Sequence, residues 1–115
     1  METREERAAR NEAVFREVNE RVEEINETLG AQDGSFLCEC GDSSCAARLR
    51  LSHIEYEDVR AHGDRFVLLR GHEDVEIERV VEERDGYVVV EKLGDGAEIA
   101  RDLDPRRTSR LAEPT

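Results

Sequence analysis

Apolar residues recur at helical spacing in the first quarter of the chain. Between about Arg4 and Leu29 there is no proline or glycine, and the strong helix formers Glu, Arg and Ala dominate. Five apolar residues of this segment follow one another at intervals of 3, 4, 3 and 4, at Phe15, Val18, Val22, Ile25 and Leu29. The pattern predicts an amphipathic N-terminal helix that ends just before Gly30.

The apolar stripe of this helix has two possible partners. It could pack against the sheet of its own domain, or it could pair with the same helix of a second chain as a short coiled coil. Only two heptads are regular, whereas a coiled coil usually needs three or four. We therefore expect the helix, within residues 1–30, to pack on its own domain, and both a monomer and a homodimer through this helix stay open.

Strands are predicted where apolar and polar residues alternate or where a short apolar run occurs. Residues 47–51 alternate with a period of two, and residues 66–69 form a short apolar run typical of a buried strand. Residues 77–83 and 87–92 flank Asp85-Gly86, which predicts a β-hairpin. The second hairpin strand has four apolar residues in succession, so both of its faces should be covered, one of them by the N-terminal helix.

Two further helices are predicted by their boundary residues. Ser52 and Glu55 have the spacing of a capping box, which predicts a short helix over residues 53–61. Gly63 is expected to end that helix in the left-handed conformation. Gly94-Asp95-Gly96 should end the last strand, and residues 97–103 could then form two helical turns.

These elements predict an α+β fold. It consists of a long N-terminal amphipathic helix, a cysteine-rich metal turn, a short helix and a small, mostly antiparallel sheet with a C-terminal hairpin. Residues 31–104 form the zinc-binding α+β domain in this prediction. Residues 105–115, which carry Arg106, Arg107 and Arg110, are expected to be a disordered basic tail.

All three cysteines lie within eight residues, at Cys38, Cys40 and Cys45. In an extended segment the period of two puts Cys38 and Cys40 on one face and turns Glu39 away. The turn formers of residues 41–44 could then fold the chain back and bring Cys45 to the same point.

A tetrahedral zinc site needs a fourth ligand. His72 follows Gly71 at the end of a predicted strand, so we predict a Cys3His zinc site formed by Cys38, Cys40, Cys45 and His72. His53 and His62, at the two ends of the short helix, are weaker alternatives. Alternatively, the three cysteines could be small hydrophobic core residues that bind no metal. Their neighbours, however, are Glu, Asp, Ser and Gly, which are uncommon in a core. An odd cysteine count also argues against a disulfide framework.

Around these cysteines the chain resembles a family of short bacterial proteins of unknown function. The similar segments are Phe-x-Cys-x-Cys-Gly-x3-Cys at residues 36–45, Glu-Tyr-Glu-x-Val-Arg at 55–60, Gly-His-Glu at 71–73 and Val-Val-Glu-Lys at 89–92. The resemblance covers residues 11–106 and implies no reaction, because the family has no assigned activity. The ligand role of the cysteines and His72 rests on their chemistry.

Composition limits the possible partners. The chain has 115 residues, of which 40% are charged, and a net charge of −12. Such a surface repels phosphate backbones, so we expect no nucleic-acid partner and consider a basic protein surface more plausible. An acidic surface that serves only to keep the protein soluble is an alternative of at least equal weight. There is no signal-peptide pattern and no apolar run long enough to span a membrane. Reduced cysteines without an export signal predict a cytoplasmic protein.

No catalytic motif accompanies the cysteines. The zinc deaminase and His-Glu-x2-His patterns are absent, and so is the Cys-x2-Cys redox spacing. We therefore predict a zinc-stabilised, non-enzymatic module for protein interaction or regulation. The alternatives are a thiol-based redox or metal-responsive switch and, third, a small zinc or thiol enzyme.

Overall fold

A computed structural model describes residues 2–42 and 44–107 of the chain. It contains three helices and five strands in the order α1 (Arg4–Thr28), β1 (Asp33–Leu37), β2 (Arg48–Ser52), α2 (His53–Arg60), β3 (Arg65–Leu69), β4 (Glu78–Arg84), β5 (Tyr87–Lys92) and α3 (Gly94–Asp102). The α+β class with a C-terminal hairpin is confirmed.

The strands form two small antiparallel sheets. β1 pairs with β2, and the larger sheet has the order β3-β5-β4. The β4–β5 hairpin turns at Asp85-Gly86, where Gly86 has a φ of +87° that favours glycine. Because β5 is the central strand, its residues Val88, Val89 and Val90 are buried, as their unbroken apolar run predicts.

The boundaries of the two shorter helices show which sequence signals are reliable. The capping box of α2 is present, since Glu55 donates its backbone N–H to Ser52 Oγ at 3.1 Å and Ser52 donates its own to Glu55 Oε1 at 2.8 Å. α3 begins at Gly94, three residues earlier than predicted. Gly96 does not break the helix. A Cβ atom there would lie 3.3 Å from Lys92 Cε and 4.0 Å from Ala9 Cβ, so the glycine allows α3 to approach α1.

The prediction for the buried face of α1 is wrong. The helix packs on its own domain, but three of the five residues of the predicted apolar stripe are exposed, with Val18 42%, Ile25 59% and Leu29 75% accessible. The other two, Phe15 and Val22, are half-buried. The buried face instead consists of two alanines and four polar residues, namely Ala9, Glu12, Ala13, Arg16, Asn19 and Glu23. The small alanines permit close packing, and the polar side chains are buried next to partners from other elements.

Two side chains, Glu12 and Arg16, show how the polar face of α1 reaches the larger sheet. Lys92 Nζ of β5 lies 2.7 Å from the Glu12 carboxylate and 2.9 Å from that of Glu78. The Arg16 guanidinium lies over the ring of Phe66 and donates to the carbonyl oxygens of Gly63 and Ala100, both at 2.7 Å. Buried charges that are paired in this way avoid the large desolvation cost of isolated ones.

Arg106 of the predicted tail contacts α1 and α2. The described structure continues through Arg107, and Arg106 binds the carboxylates of Glu20 and Glu57 at 2.8–2.9 Å. A disordered basic tail over residues 105–115 stays a prediction. The rest of the predicted tail, residues 108–115, lies outside the described residues.

Stability should fall in acid partly through Glu20. Burial alone would raise the pKa of this carboxyl, but hydrogen bonds from Arg106 and Arg60 outweigh it and lower the pKa below the usual 4.5. A pKa that is lower in the folded state contributes stability above pH 4.5 and loses it as the pH falls further. Denaturant unfolding at neutral pH and near pH 4 should show a larger loss for the wild type than for Glu20→Gln. Equal losses would contradict a role for this carboxylate.

Candidate metal centre

Two separate loops supply four potential metal ligands. Cys38, Cys40 and Cys45 lie in the connection between β1 and β2, and His72 lies in the turn after β3. Their three sulfur atoms and one ring nitrogen all lie within 4.8 Å of one another. The Sγ atoms of Cys38 and Cys45 are each 3.6 Å from His72 Nδ1. These four side chains could therefore bind one metal ion together.

Backbone hydrogen bonds hold the cysteine segment between the two sheets. Cys38 donates its N–H to the carbonyl oxygen of Ala47 at 2.9 Å, which extends the β1–β2 pairing by one step. Glu39 donates its N–H to the carbonyl oxygen of Val67 in β3 at 2.8 Å. The segment thereby joins the smaller sheet to the edge of the larger one.

The turn that returns the chain to the cluster is built on Asp42. Its carboxylate accepts hydrogen bonds from the backbone N–H of Ser44 at 2.9 Å and from the Ser44 hydroxyl at 2.6 Å. The Cys45 N–H donates to the Asp42 carbonyl oxygen at 3.0 Å. This is the local fold that the turn formers predict, and it carries Cys45 back toward Cys38.

On the histidine side, the chain turns sharply after β3. Gly71 has a φ of +96°, which favours glycine, and His72 donates its N–H to the Leu69 carbonyl oxygen at 2.9 Å. Leu69 also donates its own N–H to Cys38 Sγ at 3.1 Å. Such an N–H contact orients a thiolate ligand and stabilises its charge.

Glu39 has a structural role that the sequence analysis missed. It points away from the cysteines, as the period of two predicts, but it is fully buried. One carboxylate oxygen accepts the Val67 N–H at 3.0 Å, and the other accepts a hydrogen bond from Asn19 Nδ2 at 2.8 Å. Burial raises the pKa of Glu39 to about 6 even with these donors.

Asn19 of α1 also fixes the strand that leads into the cluster. Its side-chain oxygen accepts the Leu37 N–H at 2.8 Å, and its Nδ2 donates to the Leu37 carbonyl oxygen at 2.9 Å. The amide thus pairs with Leu37 as a neighbouring strand would. A signal for this role exists in the sequence, since Glu12, Arg16, Asn19 and Glu23 recur at helical spacing, which otherwise indicates a solvated face.

Burial affects the ionisation of the two inner cysteines. It raises the pKa of Cys38, and it raises that of Cys40 to about 12 together with the neighbouring thiols. A metal ion binds thiolates, so binding would release protons from these side chains. Metal affinity at this site should accordingly increase with pH.

The cluster is reachable from solvent on one side. Cys38 and Cys40 are buried, Cys45 is half-buried and His72 is exposed. A cleft of about 490 Å³ has Cys40 and His72 in its wall. The other two histidines lie elsewhere: His53 begins α2 and faces Glu23, and His62 lies in the turn after α2.

Comparisons with known proteins give no further assignment. The chain matches no family model, no curated protein and no solved structure with which it was compared. The resemblance to short bacterial proteins therefore stays a prediction. Among the described residues, no helix has the length and apolar character needed to cross a bilayer.

Proposed function

We propose that this chain is a small zinc-stabilised, non-enzymatic module that binds another protein. The observation that carries the proposal is the four-ligand cluster of Cys38, Cys40, Cys45 and His72. Three sulfurs and one imidazole nitrogen fill a tetrahedral coordination shell, which is typical of structural rather than catalytic zinc.

The spacing of the ligand atoms supports zinc as the metal. Zinc bonds of about 2.3 Å to sulfur and 2.0–2.1 Å to nitrogen, at a tetrahedral angle, separate the two atoms by about 3.5 Å. The observed separation between sulfur and His72 Nδ1 is 3.6 Å for both Cys38 and Cys45. Thiolate-rich tetrahedral sites also favour zinc over magnesium or calcium, which take oxygen ligands.

A zinc ion there would have a mechanical role. The cysteines belong to the connection within the smaller sheet, and His72 belongs to the turn after β3 of the larger one. One ion would thus crosslink the two sheets. A 115-residue chain with 40% charged residues and five aromatic residues has a modest core. Burial of apolar surface therefore contributes limited stability, and a metal crosslink would add to it.

The exposed apolar face of α1 supports a protein partner. Val14, Val18, Ile25 and Leu29 are between 42% and 75% accessible and lie along one side of the helix. The exposed acids Glu17, Glu24 and Glu27 outnumber the single exposed base, Arg21, in the same half of the helix. An apolar strip with an acidic border favours a partner whose binding surface is apolar at its centre and basic at its rim.

Substitutions on this face test the proposed binding without unfolding the protein. Val18→Asp should change the free energy of unfolding by no more than about 0.5 kcal/mol, because Val18 is exposed. The double variant Val18→Asp/Ile25→Asp should lose any partner that the wild type retains in a pull-down from cell extract. Glu98→Gln, at an exposed position on α3 outside this face, is the matched surface control. Retention of the same partner by the double variant would contradict binding through α1. A wild type with twice the mass of one chain in solution, together with a monomeric double variant, would identify a homodimer instead.

One observation favours the alternative of a redox switch. Cys45 is only half-buried, and the cleft along Cys40 and His72 opens to solvent, so oxidants could reach the sulfurs. Oxidation of Cys45 with either inner cysteine would remove two ligands and release the metal.

We expect the structural role to prevail when the protein is exposed to peroxide. Zinc-bound thiolates should keep their metal at concentrations that oxidise free thiols, as followed with a chromogenic zinc indicator. Partner binding should be the same before and after treatment. Rapid zinc release that thiol reduction reverses, together with loss and recovery of binding, would establish the switch instead.

A further inference from the structure

A second cluster of potential ligands lies between α1 and the first turns of α2. Glu23 of α1 faces His53 and Glu57, which are four residues apart and share one side of α2. His53 Nδ1 lies 2.8 Å from Glu23 Oε2. One ligand atom from each of the three residues lies within 4.8 Å of the others.

The position of Glu23 is unusual for a carboxylate. Its side chain is only 4% exposed. Neither of its oxygens accepts a hydrogen bond of good geometry from a described residue, the close His53 nitrogen included. A buried carboxylate without such a donor is destabilising. Burial raises the pKa of Glu23 to about 7 together with a hydrogen bond to Glu57, and the neighbouring His53 offsets this shift only in part.

Glu57 is held in place for a second contact. The Arg106 guanidinium donates to both of its oxygens, at 2.9 and 2.8 Å. These hydrogen bonds lower the pKa of Glu57 to about 2, so its carboxylate is ionised. A carboxylate has about four lone-pair positions, so Glu57 can accept a further contact beside its two donors and its hydrogen bond with Glu23.

A separate cavity lies next to His53, the one member of the cluster in its lining. A cavity of about 430 Å³ is lined by His53 and by the acidic residues Glu27 and Asp33. Its acidic lining attracts cations, and its volume admits water molecules that could complete a coordination shell.

We propose that Glu23, His53 and Glu57 form a second, oxygen- and nitrogen-lined site for a divalent transition-metal ion such as Mn²⁺. One imidazole and two carboxylates are the donor set that manganese and related ions accept, with water in the remaining positions. The ion would add positive charge next to the buried Glu23 and would tie α1 to α2. The site is distinct from the cysteine cluster, whose sulfur ligands do not suit Mn²⁺.

Titration with Mn²⁺ tests the proposal directly. Zinc-loaded protein is titrated with MnCl₂, and bound Mn²⁺ is measured by the loss of the free-ion electron paramagnetic resonance signal. We expect about one equivalent bound per chain, as a single site requires. Glu23→Gln and His53→Ala should each weaken the affinity by at least about tenfold, since loss of an outer-shell partner alone weakens metal sites by 10–100-fold.

Two features make the outcome decisive. Glu24→Gln, an exposed neighbour on α1, is the matched control and should bind Mn²⁺ as the wild type does. His53 is 41% exposed, so its variant should fold even if Glu23→Gln does not. No Mn²⁺ binding by the wild type at millimolar concentration, or unchanged binding by both ligand variants, would overturn the proposal. Because thiolates suit Mn²⁺ poorly, Mn²⁺ bound by the zinc-loaded protein reports on this site and not on the cysteine cluster.

Discussion

Removal of the proposed zinc ion should abolish the cooperative unfolding transition of this protein. Structural zinc binds with about 10–16 kcal/mol in small domains at neutral pH. The whole stability of a domain of this size is only about 5–15 kcal/mol. Here the ion would join the β1–β2 connection to the turn after β3, so its loss would separate the two sheets. Thermal unfolding by circular dichroism, with and without a strong chelator under reducing conditions, measures the effect.

Substitution of single ligands should separate the zinc site from general instability. His72→Ala removes an exposed side chain and should weaken zinc binding at least about 100-fold, the upper range for loss of an outer-shell partner. His62→Ala is the matched control, because that histidine is also exposed and lies outside the cluster. Competition with a chromogenic chelator gives both affinities. Equal affinities, or a melting temperature that does not respond to chelator, would refute the Cys3His site.

The candidate centre could be predicted because its determinants are local. The spacing of Cys38 and Cys40 requires only that the segment be extended, and the period of two then puts both sulfurs on one face. The return of Cys45 depends on a turn whose residues favour it. His72 is a long-range contact, but Gly71 and the end of the apolar run at Leu69 indicate that the chain turns there.

The buried face of α1 could not be predicted in the same way. The helix carries two stripes of equal period, one apolar through Phe15, Val18 and Val22, and one polar through Arg16 and Asn19. A rule based on hydrophobicity selects the first. The structure buries the second, because these polar residues find hydrogen-bond partners in the fold. Those partners come from segments far along the chain, so the sequence pattern of α1 does not reveal them. Arg16, for example, donates to the carbonyl oxygen of Ala100, 84 residues away.

Glu39 illustrates the same limit within the centre itself. Alternation predicts that its side chain points away from the cysteines, and it does. Sequence does not reveal that α1 lies on that side, with Asn19 ready to donate a hydrogen bond to the carboxylate. The division of the strands into two sheets is likewise a matter of long-range pairing, which residue patterns leave undetermined.

Replacement of Arg60 by alanine should cost about 3–5 kcal/mol of unfolding free energy, the range for removal of one partner from a buried ion pair. Arg60 is fully buried at the end of α2. Its guanidinium contacts the buried carboxylate of Asp104 and lies 2.7 Å from Glu20 Oε1. The alanine variant would leave two acids close together in a region of low polarity without this cation.

Two further substitutions isolate the contribution of the buried ion pair: Arg21→Ala as a control and Asp104→Asn in the opposing carboxylate. Arg21→Ala removes an exposed arginine that lies 3.8 Å from Glu24, and it should change stability by no more than about 0.5 kcal/mol. Asp104→Asn removes the opposing buried charge, so combining it with Arg60→Ala should restore part of the loss. Urea denaturation of the wild type, Arg60→Ala, Asp104→Asn and the double variant gives the coupling energy of the pair. If Arg60→Ala were as stable as Arg21→Ala, the buried ion pairs would not be what holds α2 to α1 and the C-terminal segment.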